Sequence, residues 1–229
     1  MLKSVKQCAM ILLVLLGANS VFAMEHVLAL RDAKLQFADD PDKLQEAKGR
    51  IVAYYEDGAY AAEVREICER AFDYFKEQEI VENAAIVWDV DETALTDYDL
   101  FKELNFEWHP KKEPFEYRLK GQCKPIAPML ELFLKLKKLG YKHLFVTARR
   151  AALEVATSQN LKHEGYAFDE LVLLPMDLFE RDAPSGPWKE SVRKKLAERY
   201  IIAGSISDAQ RDLEGECCGY TVKLPNYLY

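Results

Sequence analysis

The sequence has few of the residues that bind structural zinc or nucleic acid. It contains five cysteines and four histidines in 229 residues, with no Cys-x-x-Cys pair and no histidine spacing typical of zinc sites. It also lacks a basic cluster, and its acidic residues outnumber its basic ones by 38 to 31. Repeats and low-complexity tracts are absent as well. These absences exclude a zinc-finger domain, and they exclude a nucleic-acid polymer as the binding partner.

The apolar run near the N-terminus is too short to span a bilayer comfortably. Residues 9–16 form this run, which follows two lysines and precedes small residues at positions 21–23. That order is typical of a secretory signal peptide, so we expect residues 1–23 to be removed and the protein to be periplasmic or extracellular. A buried N-terminal helix is the alternative. Because Cys8 precedes the apolar run, we expect neither lipidation nor stable association with a membrane.

Four cysteines lie beyond the expected signal peptide: Cys68, Cys123, Cys217 and Cys218. An exported protein can keep disulfides, and four cysteines allow three pairings. A bridge between the adjacent Cys217 and Cys218 would be strained, so any bridge should join one of them to Cys68 or Cys123. Buried free thiols are the other interpretation, and the sequence leaves both open.

Short apolar runs alternate with helical patterns in the C-terminal two thirds of the sequence. The runs lie at residues 84–88, 143–146, 171–174, 200–203 and 221–224, and the helical patterns at 128–139, 151–163 and 188–199. Strands separated by helices are typical of a parallel sheet with helices on both faces. We therefore predict an α/β fold with a Rossmann-like parallel sheet.

Two further segments complete the predicted organisation. Residues 24–82 have helical periodicity and are expected to form an N-terminal helical part of a single domain, 24–229. Residues 96–124, rich in aromatic residues, are too long for an ordinary connection, and such segments are usually functional. We predict that this segment, called the lid insertion below, covers the carboxyl ends of the strands, where open α/β sheets bind ligands.

Polar residues with catalytic potential follow the predicted strands. Asp89 and Asp91 come directly after the first strand, Thr147 follows the second, Lys189 begins a helix after a Gly-Pro loop, and Asp208 and Asp212 follow the fourth strand. Each has an ordinary structural interpretation: an acidic turn, a helix N-cap, an exposed lysine or an acidic loop. Because all of them fall at the same end of different strands, their convergence on one site is the better interpretation.

These motifs resemble the haloacid-dehalogenase superfamily, and within it the bacterial class C nonspecific acid phosphatases, plant acid phosphatases and vegetative storage proteins. The resemblance covers nearly all of the chain beyond the signal peptide. It is carried by Asp89-Val90-Asp91-Glu92-Thr93, Phe145-Val146-Thr147-Ala148-Arg149, Trp188-Lys189-Glu190-Ser191, Asp208-x-x-x-Asp212-Leu213, the Tyr-x-x-x-Gly-x-Tyr pattern of residues 54–60 and the terminal residues 223–229. The sequence departs from the family at Ala209-Gln210-Arg211, where Gln-Trp-Ser is common, and at Trp188, where many relatives have Tyr.

The resemblance implies a role for each motif residue. Asp89 would attack phosphorus and form an aspartyl-phosphate, and Asp91 would act as general acid and then general base. Asp89, Thr147, Ala148 and Lys189 would bind the phosphoryl oxygens. Mg²⁺ would be held by Asp89, the main-chain carbonyl of Asp91, and Asp208. Asp212 would position Lys189 or a water on the metal.

The resemblance also implies an activity, with two alternatives. We expect a secreted, Mg²⁺-dependent acid phosphatase that hydrolyses small phosphomonoesters. A phosphotransferase would use the same residues, and a storage or binding protein of the same fold is the rival from another class. A histidine-based acid phosphatase is excluded because no Arg-His-Gly stretch exists.

The aromatic residues of the lid insertion favour 5′-nucleotides and aryl phosphates as substrates, unless they form the interior of the insertion. They are Tyr98, Phe101, Phe106, Trp108, Phe115 and Tyr117. The sequence does not indicate an oligomeric state.

Overall fold

The structure, a computed structural model, describes residues 27–107 and 113–229. The expected signal peptide and Trp108 therefore lie outside the described residues. The chain forms two compact units, one made of residues 27–60 with Tyr227–Tyr229, and the other of Ala61–Asn226. No helix of the described residues has the length and apolarity needed to cross a membrane.

The first unit contains helices α1 (Leu30–Gln36) and α2 (Pro41–Glu56). The Asp40 side chain caps α2 by accepting the backbone N–H of Lys43 (3.1 Å), and Pro41 follows at the first helical position, where no N–H is needed. The C-terminal residues pack on these helices: the N–H of Leu30 donates to the carbonyl of Tyr227 (2.9 Å). The terminal segment is thus held by this unit.

The second unit begins within α3 and contains the main sheet. Its elements in chain order are α3 (Ala59–Lys76), β1 (Ala84–Trp88), β2 (Leu95–Thr96), α4 (Tyr98–Glu103), α5 (Glu113–Leu119), β3 (Lys124–Pro125), α6 (Ala127–Leu139), β4 (Lys142–Arg150), α7 (Glu154–His163), β5 (Glu170–Leu174), α8 (Met176–Glu180), α9 (Ser185–Leu196), β6 (Ile201–Ser207) and β7 (Tyr220–Lys223). Two 3₁₀ turns, Ala151–Leu153 and Gln210–Leu213, precede α7 and follow β6. Five strands form a parallel sheet in the order β5-β4-β1-β6-β7.

Helices cover both faces of this sheet, which explains the continuous apolar sequence of β1. All five residues of β1 are buried, as expected for a central parallel strand. On one face Val192 and Leu196 of α9 pack with Val87 of β1. On the other, Phe133 of α6 contacts Trp88, with ring centroids 5.6 Å apart. The structure thus confirms the predicted α/β class.

The sheet order places the ends of three strands around one crevice. β1 lies between β4 and β6, and the chain crosses from one side of β1 to the other after β5. In open α/β sheets, ligands bind at such a switch point, beyond the carboxyl ends of the strands. The residues that follow β1 and β6, and the last residues of β4, therefore lie at the edge of the sheet expected to bind a ligand.

The lid insertion has its own small sheet. β2 and β3 pair antiparallel, Leu95 with Pro125 and Thr96 with Lys124, so the two ends of the insertion meet. Between them lie α4 and α5. Phe101 and Phe106 are 0% and 2% exposed, respectively, which supports the interpretation that part of the aromatic set forms the interior.

Some predicted boundaries and bonds differ from the structure. The helix that carries Lys189 begins at Ser185 and includes the Gly-Pro pair, so this lysine lies in its second turn and not at its start. The second strand continues beyond residue 146 to Arg150. All four cysteines of the described residues are free thiols, so the disulfide alternative is wrong. The division into a helical part and a single domain stays a prediction.

Candidate active site

The candidate site begins at Asp89, directly after β1. Its backbone N–H donates to the carbonyl of Ile206 in β6 (2.9 Å), so the strand pairing continues through this residue. Its side chain is 11% exposed, and Oδ1 accepts the backbone N–H of Val90 (2.7 Å). The sheet itself therefore fixes the Asp89 carboxylate at the edge of the crevice.

A tight turn separates Asp89 from the lid insertion. The carbonyl of Val90 accepts three backbone N–H groups, from Thr93, Ala94 and Leu95. The buried Glu92 carboxylate accepts the Thr96 hydroxyl (2.8 Å) and the Asp97 N–H (2.7 Å). Burial and the neighbouring Asp97 raise the pKa of Glu92 well above its ordinary value. Glu92 thus stabilises the turn from inside.

Lys189 joins the first and last acidic motifs. Its buried Nζ lies 2.8 Å from Oδ1 of Asp89 and 2.6 Å from Oδ2 of Asp212. The Ser207 hydroxyl donates to the same Oδ2 of Asp212 (3.2 Å). Burial opposes the charge on Lys189, but the two carboxylates outweigh it and raise the pKa of the lysine. Lys189 is therefore a buried ammonium shared by two carboxylates.

A close approach of two backbone segments allows this contact. A Cβ at Gly186, in the first turn of α9, would lie 2.8 Å from the carbonyl oxygen of Arg211. Only glycine permits the start of α9 to lie this close to the 3₁₀ turn that carries Asp212. Glycine at this position therefore brings the helix of Lys189 against the loop of Asp212.

Asp208 is held by two side chains that sequence reasoning did not assign. Oδ1 of Asp208 accepts a hydrogen bond from the Thr93 hydroxyl (3.3 Å). The backbone N–H of Asp208 donates to Oγ1 of Thr93 in return (3.0 Å). Its Oδ2 accepts the Asn226 amide (2.7 Å). Thr93 lies in the first motif and Asn226 in the terminal stretch, and the resemblance implies no role for either. They orient the Asp208 carboxylate.

Asp91 contacts two arginines and none of the other predicted site residues. Its Oδ1 accepts Nε and Nη2 of Arg149 (2.9 and 2.7 Å) and lies 3.3 Å from Nε of Arg118. Arg118, from the lid insertion, also donates to the buried Asp97 (2.8 Å). Burial opposes ionisation of Asp91, but Arg118 and Arg149 outweigh it and lower its pKa. Asp91 is thus an ionised carboxylate between two guanidinium groups.

Thr147 and Ala148 lie where β4 becomes irregular. Thr147 pairs with Leu173, but Arg150 pairs with the next residue, Leu174, so two extra residues lie between them on β4. Such bulges redirect side chains and are common next to active sites. The buried Thr147 hydroxyl accepts the N–H of Arg149 (3.1 Å), and Ala148 is exposed. Within the described residues, no hydrogen bond joins Thr147 to Asp89, although their strands are neighbours.

The charges around Asp89 suit a divalent cation. Burial, reinforced by Asp212, Asp208 and Asp91, raises the pKa of Asp89 to about 7 against the opposing effect of Lys189. Asp89, Asp208 and Asp212 thus place three carboxylates beside one buried ammonium, and Oδ1 of Asp212 is buried without a hydrogen bond. No three acidic, histidine or cysteine side chains of the described residues form a ready metal cluster. The ligands that the resemblance implies are the carboxylates of Asp89 and Asp208 and the main-chain carbonyl of Asp91. Because Mg²⁺ keeps several waters and needs only one or two protein carboxylates, these residues fit that ion.

The arginines that hold Asp91 are the main feature that sequence reasoning missed. Arg149 lies in the second motif, two residues after Thr147, and this position could have indicated that its side chain is near the site. Arg118 lies in a part of the lid insertion without a recognised motif. Its contacts with Asp91 and Asp97 depend on how the insertion folds back, and no local sequence pattern predicts that.

Comparisons with known proteins show to which family the chain belongs. The family model described as HAD superfamily, subfamily IIIB (Acid phosphatase), matches residues 20–229. The Stem 31 kDa glycoprotein of Glycine max is 28% identical over 176 residues, which cover 74% of this chain and 68% of that protein. Acid phosphatase 1 of Solanum lycopersicum is 26% identical over 192 residues, which cover 81% and 74%.

A solved structure supports the same fold. The class C acid phosphatase from Bacillus anthracis superposes with a TM-score of 0.62 and 16% identity, over 81% of this chain and 84% of that one. At this identity the likeness concerns the fold alone. The family model, however, spans most of the sequence. The chain therefore belongs to subfamily IIIB of the haloacid-dehalogenase superfamily, the acid phosphatases, and is a phosphomonoesterase.

Proposed function

We propose that this protein is an exported, Mg²⁺-dependent acid phosphatase that hydrolyses phosphomonoesters through an aspartyl-phosphate on Asp89. The observation that carries the proposal is the buried Asp89–Lys189–Asp212 arrangement at the carboxyl end of β1. A nucleophile there can approach a phosphate only if the negative charges are offset. Lys189 offsets part of that charge.

Asp89 performs the first chemical step. Lys189 and Val90 both bind its Oδ1, so Oδ2 is the oxygen left to attack phosphorus. The new Oδ2–P bond forms as the ester P–O bond breaks, and the alcohol oxygen leaves with the bonding electrons. Lys189, the Thr147 hydroxyl and the N–H of Ala148 bind the phosphoryl oxygens. Asp212 holds the ammonium of Lys189 in place.

Asp91 supplies the proton to the leaving alcohol and later removes one from the attacking water. Arg118 and Arg149 lower its pKa, so its protonated form is present only in acid. We therefore expect the rate to rise as the pH falls, with Lys189 and a bound cation keeping Asp89 ionised against the burial that raises its pKa. An optimum above about pH 8 would count against Asp91 as the general acid.

Asp89, Asp208 and the carbonyl of Asp91 would hold the magnesium ion. When bound, it neutralises charge on the phosphoryl group. Thr93 and Asn226 keep the Asp208 carboxylate oriented for that role. The magnesium ion would thus balance the negative charge of the carboxylates that the single ammonium of Lys189 does not balance.

The proposed substrates are 5′-nucleotides and aryl phosphates in preference to small aliphatic phosphates. Phe101 and Phe106 are buried and cannot stack on a ligand. Tyr98 and Tyr117 are half-buried and keep the preference open, whereas the Phe115 ring is in contact with the Arg150 guanidinium. Stacking on such rings contributes about 1–3 kcal/mol per base in nucleic-acid complexes. Comparing kcat/KM for a nucleoside monophosphate and glycerol phosphate tests the preference; equal values contradict it.

The proposal includes export. It rests on the signal-peptide pattern of residues 1–23, and it places the enzyme in the periplasm or outside the cell. Beyond that peptide, residues 24–229 would act as one enzyme, with residues 96–124 as its lid. Mass spectrometry of the mature N-terminus tests the cleavage after Ala23. A mature protein that begins at Met1 contradicts it.

The nucleophile provides the direct test of function. We expect the wild type to release phosphate from 4-nitrophenyl phosphate with Mg²⁺, and Asp89→Asn to lose this activity while keeping its fold, because loss of a nucleophile costs several orders of magnitude. Asp73→Asn makes the same chemical change at an exposed position of α3 and should leave the rate unchanged. More than about a hundredth of the wild-type rate in Asp89→Asn contradicts the covalent mechanism. Absence of turnover in the wild type favours the storage alternative.

A further inference from the structure

The side chain of Arg150 lies in a pocket beside the site. It is the last residue of β4, directly after the two extra residues that interrupt the pairing with β5. Phe115 and Arg118 of α5, Ala148 and Arg149 of the bulge, and Phe179 of α8 line the same pocket. The pocket thus lies between the lid insertion and the second motif.

Arg150 differs from the other two arginines of the pocket in having no acidic partner. Its guanidinium lies 3.4 Å from the centroid of the Phe115 ring and 4.9 Å from that of Phe179. These contacts attract the charge but accept none of its N–H groups. The side chain makes no hydrogen bond or ion pair with the residues that the structure describes. Partial burial lowers its pKa, since no neighbouring anion offsets the lost hydration.

The pocket shares two arginines with Asp91, the residue proposed to protonate the leaving alcohol. This step rests on the proposed function, in which Asp91 gives its proton to the leaving alcohol. Arg118 and Arg149 hold Asp91, at 3.3 and 2.9 Å, and both also line the pocket. A group attached to the leaving alcohol can therefore extend past Asp91 toward Arg150.

We propose that this pocket binds an anionic group on the alcohol part of the substrate, a carboxylate or a second phosphate. A guanidinium presents its N–H groups in a planar fork that matches two oxygens of such an anion. Phe115 and Phe179 contact the guanidinium and restrict its motion, so the donors are held ready. Among phosphomonoesters, the proposed nucleotides and aryl esters included, the pocket would favour those whose alcohol part carries a second negative charge.

A structural role is the competing explanation. Arg150 contacts Phe115 of the lid insertion and Phe179 of α8, so it could serve only to join these two helices. In that case its replacement would affect all substrates equally. Two ligands that differ only in the extra anion therefore separate the two roles.

The test compares 3-phosphoglycerate with glycerol 1-phosphate, which share the three-carbon chain and the phosphate. The first has a carboxylate where the second has an uncharged hydroxymethyl group. Dissociation constants are measured by calorimetry with Mg²⁺ in the Asp89→Asn background, which cannot be phosphorylated. We expect 3-phosphoglycerate to bind about tenfold more tightly, the effect of one charge-assisted hydrogen-bonded contact. Adding Arg150→Gln should bring the ratio close to one, and Arg150→Lys should keep part of it.

Arg70→Gln is the matched control, because it removes the same charge from an exposed position of α3; its ratio should equal that of the parent. A parent ratio near one, or a ratio that Arg150→Gln leaves unchanged, overturns the proposal. Failure of the proposed function gives a different result. In that case the wild type hydrolyses neither ester, while the binding ratio still supports or overturns the role of Arg150.

Discussion

At the scale of single residues, the charge balance of the site depends on Lys189. Its ammonium is 4% exposed and contacts Asp89 and Asp212, which are 11% and 4% exposed. Removing one partner of a buried ion pair leaves the other charges without compensation. Asp89 and Asp212 share this single cation, so its loss should affect both stability and catalysis.

Lys189→Ala should therefore lower the free energy of unfolding by about 3 kcal/mol, the usual cost of breaking a buried pair. It should also abolish turnover, because the phosphoryl oxygens lose their cation. Urea unfolding followed by fluorescence measures the first effect, and phosphate release the second. Lys194→Ala removes the same charge from an exposed pair with Glu190 and Glu216, and it should change little. Equal losses in the two variants would show that the Lys189 contacts contribute nothing specific.

His143 makes the fold sensitive to acid. It lies in β4, and its Nδ1 accepts the indole N–H of Trp88 (3.0 Å). Burial, with help from Lys137, lowers the pKa of His143 to about 3, while Asp169 opposes this shift. The ordinary value, near 6.5, applies to the unfolded chain. Below that pH the unfolded chain binds a proton that the folded protein excludes, so this contribution to stability is complete above pH 6.5 and falls toward pH 3.

From pH 6.5 to pH 5, this one group should reduce the free energy of unfolding by about 2 kcal/mol. His143→Gln keeps an acceptor for Trp88 but cannot be protonated, so its stability should vary less with pH. His163→Gln, at an exposed position, should follow the wild type. Urea midpoints at several pH values measure the difference. Parallel profiles for wild type and His143→Gln would show that the ring does not carry this effect.

At the scale of elements, the start of α9 and the 3₁₀ turn of Asp212 depend on each other. Gly186→Ala would place a methyl group 2.8 Å from the carbonyl oxygen of Arg211. Since backbone atoms must move to relieve this contact, we expect a loss of about 1–3 kcal/mol in stability and a lower kcat, because Lys189 moves with α9. Gly49→Ala in α2 meets no atom within 4 Å. It should gain about 0.5–1 kcal/mol from helix propensity. If Gly186→Ala changed neither the free energy of unfolding nor kcat, the close approach of α9 to the 3₁₀ turn would not be required for stability or activity.

The elements predicted best from sequence are those whose ends carry a local signal. β1 begins and ends at the predicted residues because an apolar run stops at Asp89. The sequence predicts the start of α9 three residues late, at Trp188 instead of Ser185, because Gly186-Pro187 resembles a loop. Proline is nevertheless compatible with a first turn, where its missing N–H has no partner to lose. The acidic motif residues and Lys189 are predicted from their positions near the ends of predicted strands and from the family resemblance, whereas the contacts of Arg118 depend on the fold of the lid insertion.

At the scale of the whole molecule, the excess of buried carboxylates links metal binding to stability. A ligand that binds only the folded protein stabilises it by about 2.7 kcal/mol at a hundred times its dissociation constant. Mg²⁺ should therefore raise the unfolding temperature, and Asp208→Asn should remove most of this increase. Asp73→Asn, exposed on α3, should keep the Mg²⁺-dependent increase in unfolding temperature.

The same ion is expected to be required for catalysis. Chelation should abolish activity, and added Mg²⁺ should restore it. Full activity after exhaustive chelation contradicts the metal requirement.

The hydrogen bond between the Asp89 N–H and the Ile206 carbonyl should slow the exchange of this amide proton with solvent. Different parts of a folded chain open with different free energies, and the pairs at the centre of a sheet open last. The amide proton of Asp89 should therefore exchange with solvent only when β1 and β6 separate, which amounts to global unfolding. The short helices α4 and α5 lie outside the main sheet, so we expect their amide protons to exchange without separation of β1 from β6. The proposed nucleophile is thus attached to backbone that should exchange most slowly, and α4 and α5 should exchange faster.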